Sequence, residues 1–237
     1  MTIGIMQPYF FPYIGYFQLL NVVDKFVIYD IIEYSKGGWI NRNRILINGR
    51  DSYITLPLKK DSDFLFIKDR QLANTWDEDR IKMTNKIIEA YRKAPFFEKV
   101  FPLIESCLYF GDGNLFNFIF NSINTIKNYL EIKTPCIAVS EIDIDHTLKS
   151  QNKIVRICHT LKADRYINPI GGIELYKNEY FEENGVKLQF LKTKDINYKQ
   201  FSNEFVHSLS IIDVLMFNSR DVVQEMIERN FVVLNAE

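Results

Sequence analysis

The chain has 237 residues, of which 47% are hydrophobic and 25% are charged, a composition typical of a water-soluble domain with a sizeable core. Its formal net charge of −1 argues against general nucleic-acid binding through bulk charge. The three cysteines are odd in number and widely spaced, which excludes a disulfide framework or a zinc pattern and favours a reducing compartment. No signal peptide precedes the first strand, and no apolar run approaches the roughly 18 residues that span a membrane. The sequence therefore predicts a cytoplasmic protein without a membrane span.

The first 44 residues predict a βαβ unit. A strand at residues 2–6 runs into a loop rich in aromatic side chains, an amphipathic helix follows at residues 17–23, and a second strand occupies residues 25–29. In an open α/β sheet, ligands bind beyond the carboxyl ends of the strands. We therefore expect the active site at the edge where these two strands end.

A β-hairpin and three helices are predicted next. Two apolar runs within residues 45–58 flank Asn48-Gly49, the strongest short-range hairpin signal, and a short strand is expected at residues 64–67. Apolar residues at helical spacing then predict three consecutive helices with no strand between them, at residues 76–94, 97–109 and 114–130. We expect these helices to form an insertion or subdomain, residues 76–131, within a single α/β domain of residues 1–237.

Strands and helices alternate in the second half of the chain. This alternation predicts an α/β fold with a mostly parallel open sheet and a helical insertion. Two helices are expected to close the chain, at residues 209–217 and 222–230. The alternating elements are strands at residues 134–139, 164–169 and 186–191 and helices at residues 149–162 and 174–183.

A basic and aromatic cluster is the strongest candidate for ligand binding. Residues 36–60 contain six basic residues and one acidic residue, and this local net charge of +5 suits a small anionic ligand better than a polymer. Arginine offers a planar fork for phosphate or carboxylate, and an indole would stack on a base or sugar. The alternative is a solvated hairpin edge whose tryptophan fills the core. The cluster consists of Lys36, Trp39, Asn41, Arg42 and Arg44.

The loop after the first strand supplies a second set of candidates. Gln7, Tyr9 and Tyr13 would line a pocket with hydroxyls and stacking faces, or they would pack a buried turn. A buried amide needs partners, which favours a functional role for Gln7.

Three further strand ends carry polar or glycine residues. Asp30 would serve as a base or as a ligand for a ribose, a metal or an amine, and the alternative is a turn residue. Gly171 and Gly172 would cradle a phosphate or form a plain tight turn. Ser140-Glu141 would also reach the site.

Several common sites are absent from the sequence. His146, His159 and His207 lie far apart without metal-ligand spacing, so we interpret them as structural or solvated and predict no metal site. The sequence also lacks a GxSxG elbow, a P-loop and a GxGxxG motif.

Two sequence blocks are highly specific: MQPYFFPYIGYFQL at residues 6–19, and Lys36 with WINRNRI at residues 39–45. On these two blocks the chain resembles the WbqC-like family. Shorter matches extend the resemblance over nearly the full length: Tyr91-x-Lys93-Ala94-Pro95-Phe96, Ala163-Asp164-x-Tyr166, Tyr198-x-Gln200 and Leu209-Ser210-Ile211-Ile212-Asp213. The chain departs from the family at Ile31, where an aspartate is expected, at Ile32, where a valine is expected, and at residues 170–176, where Ser-Gly-x-Gly is usual. Because of these departures, the family resemblance does not identify the substrate.

A weaker likeness concerns the turn into the first helix. Tyr13-Ile14-Gly15-Tyr16 is similar to the HxGH region of nucleotidylyltransferases and pantothenate synthetase, with tyrosine at both histidine positions. The likeness implies a nucleotide pocket that has lost histidine-assisted adenylyl transfer.

The family resemblance implies a bacterial protein encoded among genes for surface polysaccharide, such as the O-antigen of lipopolysaccharide. We expect a transferase that acts on a nucleotide-linked sugar, for example by acylating an amino sugar. A nucleotidylyltransferase-like enzyme or a non-catalytic sugar-nucleotide binding or assembly protein is the alternative. The cofactor is unknown beyond a nucleotide with or without magnesium, and the oligomeric state, a homo-oligomer included, is open. Gln7, Asp30 and Asn41 are the candidate catalytic residues, and the other candidates would bind substrate.

Overall fold

The computed structural model describes residues 1–201 and 204–236. Its strands alternate with helices along most of the chain, as the sequence predicts. The strands are β1 (Thr2–Met6), β2 (Lys25–Ile28), β3 (Arg42–Ile47), β4 (Arg50–Thr55), β5 (Cys136–Ala138), β6 (Arg165–Pro169), β7 (Lys187–Thr193) and β8 (Phe231–Asn235). The helices are α1 (Ile14–Val22), α2 (Trp76–Tyr91), α3 (Phe97–Leu108), α4 (Leu115–Tyr129), α5 (Ser150–Thr160), α6 (Asn178–Glu183), α7 (Ile211–Phe217) and α8 (Arg220–Arg229).

Six of the described strands form one sheet in the order β5-β2-β1-β6-β7-β8. The first five in this order are parallel, and β8 pairs antiparallel with β7. The predicted α/β class with a mostly parallel sheet is therefore confirmed. The chain leaves β1 towards β2 on one side, and β6 lies on the other, so the strand order reverses at β1. In such sheets, the crevice beyond this reversal point is the usual ligand site.

Helices cover both faces of the sheet. One face packs against α1, α8 and the β3–β4 hairpin, and α2, α3 and α4 belong to the same continuous apolar core. The other face packs against α5 and α6 around a second core. A side chain on Gly4 would lie 3.2 Å from Leu19, so this glycine lets α1 lie close to β1.

The three predicted helices between β4 and β5 are present as α2, α3 and α4. Their apolar faces share the core of α1, which agrees with one packed unit on this side of the sheet. Division of the chain into a domain with a subdomain at residues 76–131 stays a prediction.

The secondary structure differs from the prediction in three places. Residues 64–67 do not form a strand, since only Phe66 makes an isolated bridge to Glu33 and Ile67 begins a 3-10 turn. β8 was missed because its short apolar run directly follows α8 and carries no turn signal of its own. The predicted helix at residues 174–183 divides into a 3-10 turn, Ile170–Leu175, and α6. In the described ranges, no helix has the length and apolar character to cross a membrane.

A buried carboxylate joins three elements around the first core. Asp213 has no exposed surface. Its Oδ1 accepts from Tyr91 Oη at 2.8 Å, and its Oδ2 accepts from Tyr198 Oη at 2.7 Å and from Gln200 Nε2 at 2.8 Å. Tyr91 Oη in turn accepts from the Leu46 N–H at 2.9 Å. Burial raises the pKa of Asp213, and the three hydrogen bonds oppose that shift. The carboxylate thereby fixes α7 to α2 and, through Tyr91, to β3.

Asp213→Ala is expected to lower the free energy of unfolding by about 2–5 kcal/mol, because three buried donors lose their acceptor. Urea unfolding followed by circular dichroism measures the change. The matched control is Asp143→Ala, an exposed loop aspartate, which should stay within about 0.5 kcal/mol of the wild type. Equal stabilities of the two variants would contradict a joining role for Asp213.

Candidate functional site

The carboxyl edge of the sheet gathers several predicted site residues. Because their strands are parallel, β1, β2, β5 and β6 all end at this edge. The Tyr29 N–H donates to the Met6 carbonyl at 2.7 Å, which places the end of β2 beside Gln7. The residues that follow these strands are Gln7, Asp30, Ser140-Glu141 and Gly171-Gly172, in that order.

The turn between β1 and α1 is held by hydrogen bonds from distant residues. Phe10 and Phe11 are fully buried, and Phe11 has a φ of 41°, in the left-handed region. Asn43 Nδ2 donates to the Phe10 carbonyl at 3.1 Å and to the Phe11 carbonyl at 2.8 Å. Ser210 Oγ also donates to the Phe11 carbonyl at 2.7 Å, and the Phe10 N–H donates to the Ile40 carbonyl at 3.0 Å. The hairpin is therefore fastened to the turn that follows β1.

The tyrosines of this turn lie close together. Tyr9 is half-buried with its ring centroid 6.0 Å from that of Tyr16, and burial, then the nearby Tyr13, raises the pKa of Tyr9. Tyr13 is 38% exposed, and its ring lies across Gly15, where a Cβ would come within 2.2 Å of Tyr13 Oη. This contact explains why a glycine follows the first residue of the helix.

Gln7 has an amide available for a ligand. Its backbone carbonyl accepts from Tyr16 Oη at 3.2 Å. Its half-buried side-chain amide has no hydrogen-bond partner among residues 1–201 and 204–236. An amide at this edge retains its full capacity to donate and accept.

The hairpin carries an exposed aromatic and cationic surface, which we call the platform and define as Trp39, Tyr53, Arg42 and Arg44. The two rings stack with centroids 6.3 Å apart and planes 27° apart. The Arg42 guanidinium lies 4.7 Å from the Tyr53 centroid, and that of Arg44 lies 5.4 Å from the Trp39 centroid. Trp39 is 38% exposed and Tyr53 is 45% exposed, so the indole lies on the surface and does not fill the core.

Each cation of the predicted cluster already has a partner. Lys36 pairs with Asp63 at 2.9 Å, and Arg44 pairs with Asp51 at 3.1 Å and donates to the Ser208 carbonyl. Arg42 donates to the carbonyls of Gly37 and Gly38. Exposed ion pairs contribute about 0–1 kcal/mol, so a phosphate can displace them at low cost. Phosphate binding by these residues stays a prediction.

Two of the three candidate catalytic residues hold loops in place. Asn41 is buried; its amide donates to the Leu56 carbonyl at 2.8 Å and accepts from Tyr34 Oη at 2.8 Å. Asp30 is 1% exposed and accepts from the Ser140 N–H at 3.0 Å. These contacts orient the hairpin and the turn after β5. A direct catalytic role for either side chain stays a prediction.

The two glycines after β6 have different surroundings. A Cβ on Gly172 would lie 2.0 Å from Nδ2 of the buried Asn168, whereas a Cβ on Gly171 would meet no atom within 4 Å. Asn168 accepts from Tyr166 Oη at 3.0 Å. Packing against Asn168 therefore explains why residue 172 is a glycine. Phosphate binding by Gly171 and Gly172 stays a prediction.

The remaining sequence candidates are Ser140, Glu141 and the histidines. Ser140 and Glu141 are exposed, and Glu141 Oε2 accepts from the Ala138 N–H at 3.4 Å. The His159 ring lies 2.8 Å from the Asn184 carbonyl, and the His207 ring packs on Phe205. In the part of the chain that the structure describes, no three His, Cys, Asp or Glu side chains are grouped to hold a metal ion.

Sequence reasoning missed Tyr53 and Arg70, which lie beside the predicted cluster. Tyr53 belongs to the platform and lies on β4, the second strand of the hairpin. The alternation of polar and apolar residues along this strand does not reveal that its ring stacks on Trp39. Arg70 is 5% exposed; its guanidinium lies 4.8 Å from the Tyr34 centroid and donates to the Ser62 carbonyl at 2.9 Å. Burial raises the pKa of Tyr34, and the positive charges of Arg70, Arg42 and Lys36 oppose this shift. Arg70 lies in a mixed polar segment that shows no periodic signal.

Gly172→Ala is expected to lower the free energy of unfolding by about 1–3 kcal/mol, because the added methyl group would collide with the buried Asn168 amide. Gly171→Ala, its immediate neighbour, should stay within about 0.5 kcal/mol of the wild type. Chemical unfolding of both variants tests the difference. A loss shared equally by both would show that Asn168 does not set the requirement for glycine.

The chain is similar in sequence to known proteins over most of its length. The chain is 26% identical over 221 residues to the uncharacterized protein Rv1507c of Mycobacterium tuberculosis (strain ATCC 25618 / H37Rv), which covers 91% of this chain and 93% of that protein. No solved structure matches the chain. The model of the WbqC-like protein family matches residues 7–225, from the first candidate residue of the turn into α8. The chain therefore belongs to the WbqC-like protein family.

Proposed function

We propose that the protein is an enzyme of bacterial surface-polysaccharide biosynthesis that acts on a nucleotide-linked sugar, transferring a group such as an acyl group to an amino sugar. The observation that carries this proposal is the platform, which is fastened by Asn43 and Ile40 to the turn at the sheet edge. An exposed stack of two aromatic rings with two guanidiniums offers a stacking face and phosphate donors side by side.

The platform suits the nucleotide part of the ligand. Exposed aromatic faces bind bases and sugar rings with little dependence on identity, and a stacked base contributes about 1–3 kcal/mol. Arg42 and Arg44 are held over the rings before a ligand arrives, so less side-chain entropy is lost on binding. Lys36 and the buried Arg70 add positive charge near Tyr34 for the diphosphate.

The sheet edge suits the reacting group. In acyl transfer, the amine of the acceptor attacks the acyl carbon, the bond to the leaving group breaks, and negative charge develops on the acyl oxygen. We expect the Gln7 amide, which has no partner in the described chain, to donate to that oxygen. Asp30 and Asn41 support this geometry by fixing the turn after β5 and the base of the hairpin.

Nucleotidylyl transfer is the second candidate, favoured by the position of Tyr13-Ile14-Gly15-Tyr16 at the start of α1 beside the point where strand order reverses. Tyr16 is 1% exposed, it donates to the Gln7 carbonyl, and burial raises its pKa well above the usual value. Tyr16 therefore stays protonated at neutral pH and does not replace an ionisable histidine. Transfer of a nucleotidyl group would depend on other side chains.

A thermal-shift screen with nucleoside phosphates and nucleotide sugars, with and without magnesium, tests the binding step. A ligand of the native state stabilises it by about 2.7 kcal/mol at 100 times its dissociation constant. Trp39→Ala is expected to weaken binding of a nucleotide amino sugar at least about fivefold, through loss of the stacking face. Tyr109→Ala is the matched control, because Tyr109 is 46% exposed beneath the Arg80 guanidinium but lies outside the platform.

The outcomes separate the candidates. Equal affinity of the Trp39 and Tyr109 variants would contradict binding at the platform. Binding of a nucleoside triphosphate with release of pyrophosphate would favour nucleotidylyl transfer. Binding of a nucleotide sugar without turnover in the presence of acyl donors would indicate a binding or assembly protein.

A further inference from the structure

A buried lysine lies at the same edge of the sheet. Lys153, in the first half of α5, is 3% exposed and faces the second core. Its Nζ donates to the His146 carbonyl at 2.9 Å and lies 5.2 Å from the centroid of the Tyr29 ring. Within residues 1–201 and 204–236, no carboxylate forms an ion pair with it. An ammonium with one neutral acceptor and one aromatic face is poorly compensated for the loss of water.

The surroundings of Lys153 make its ammonium easier to deprotonate than that of an exposed lysine. Burial lowers its pKa, and the charges of Asp30 and Asp145 oppose the shift without reversing it. Tyr29 contributes no charge, because burial, then Tyr176 and Asp30, raises its pKa to about 12. An amine that gives up its proton more readily than an exposed lysine is suited to accept one during a reaction.

The position of Lys153 connects it to the candidate site. Tyr29, over which the amine lies, follows β2 directly, and its N–H donates to the Met6 carbonyl, one residue before Gln7. An open cavity of about 450 Å³ adjoins the first turn of α5 and is lined by Ser150, Gln151 and Asn152 on one side and Tyr176 on the other. The amine, the free Gln7 amide and this cavity therefore occupy the carboxyl side of the sheet.

We propose that Lys153 is the general base of the transfer step. This inference rests on the proposed function and adds the catalytic residue that its chemistry requires. As the acceptor amine forms its bond to the acyl carbon, the bond from that carbon to the leaving group breaks and the leaving group departs with the electron pair. The proton released by the acceptor nitrogen passes to the neutral Nζ, which becomes an ammonium stabilised by Asp30 and Asp145. This transfer step needs no oxidant and no metal.

The first test measures the amine itself. In the full-length protein labelled with ¹³C and ¹⁵N, NMR follows the Cε and Nζ resonances of Lys153 with pH, and Lys153→Met identifies them. Lys153 is expected to titrate below the ordinary lysine pKa of about 10.4. Lys82 is the internal control, because its exposed ammonium pairs with Asp79, which raises its pKa. Titration of Lys153 at or above the ordinary value would overturn the proposal.

The second test separates catalysis from binding. Lys153→Met and Lys153→Gln should bind the nucleotide sugar as the wild type does, while the rate of transfer falls by about 10²–10⁴-fold. The wild-type rate should rise with pH through the pKa of Lys153, and that rise should disappear in the variants. Melting temperatures confirm that at least one of the two variants is folded. Wild-type transfer rates in a folded variant would overturn the role of Lys153 alone, whereas a wild type that binds no nucleotide sugar would overturn the proposed function and the base role together.

Discussion

The shape of the β1–α1 turn depends on three hydrogen bonds to two backbone carbonyls. Phe11 has a left-handed backbone that a bulky side chain adopts at a cost of about 1–3 kcal/mol, and its ring is fully buried. The carbonyls of Phe10 and Phe11 consequently need donors from inside the protein. Asn43 supplies two and Ser210 supplies one, so residues from β3 and from the start of α7 complete the turn. The position of the hairpin relative to the sheet edge follows from these bonds.

The same constraint extends through a second polar network. The Ser210 N–H donates to the Arg44 carbonyl, and three residues later Asp213 accepts from Tyr91, whose hydroxyl accepts from the Leu46 N–H. β3 is thus connected to α7 at two points along its length. Hydrogen bonds are directional whereas apolar contacts are not, so these buried polar groups fix one orientation of the hairpin against a core that would tolerate several. The platform, which is part of the hairpin, therefore has a fixed position beside the ends of the strands.

The sequence predicts the parts of this structure that depend on local chemistry. Asn48 and Gly49 both adopt positive φ, at 51° and 75°, as a two-residue hairpin turn requires, and the residue types alone reveal it. The helices at the centre of the chain follow from apolar spacing. Arg70 and Lys153 were missed for the opposite reason: each is a charged residue in a segment where charge normally indicates solvent, and only tertiary contacts bury it. Tyr53 was missed as well, because its place in the platform depends on stacking against Trp39. The two residues are 14 positions apart, and the sequence alone does not show that their rings meet.

Satisfaction of hydrogen-bonding capacity distinguishes polar residues that maintain the fold from those available for chemistry. The side chains of Asn41, Asn43 and Asp213 use both polar atoms on partners within the chain, and their burial is explained by those partners. Gln7 and Lys153 differ, because the amide has no partner in the described chain and the ammonium has a single neutral acceptor. Folding gains little from placing such groups at the edge of the sheet, so their unused hydrogen-bonding capacity makes them candidates for function. In the proposed function, the free amide would be the donor and the buried amine the base of group transfer, and the platform would bind the nucleotide part of the substrate.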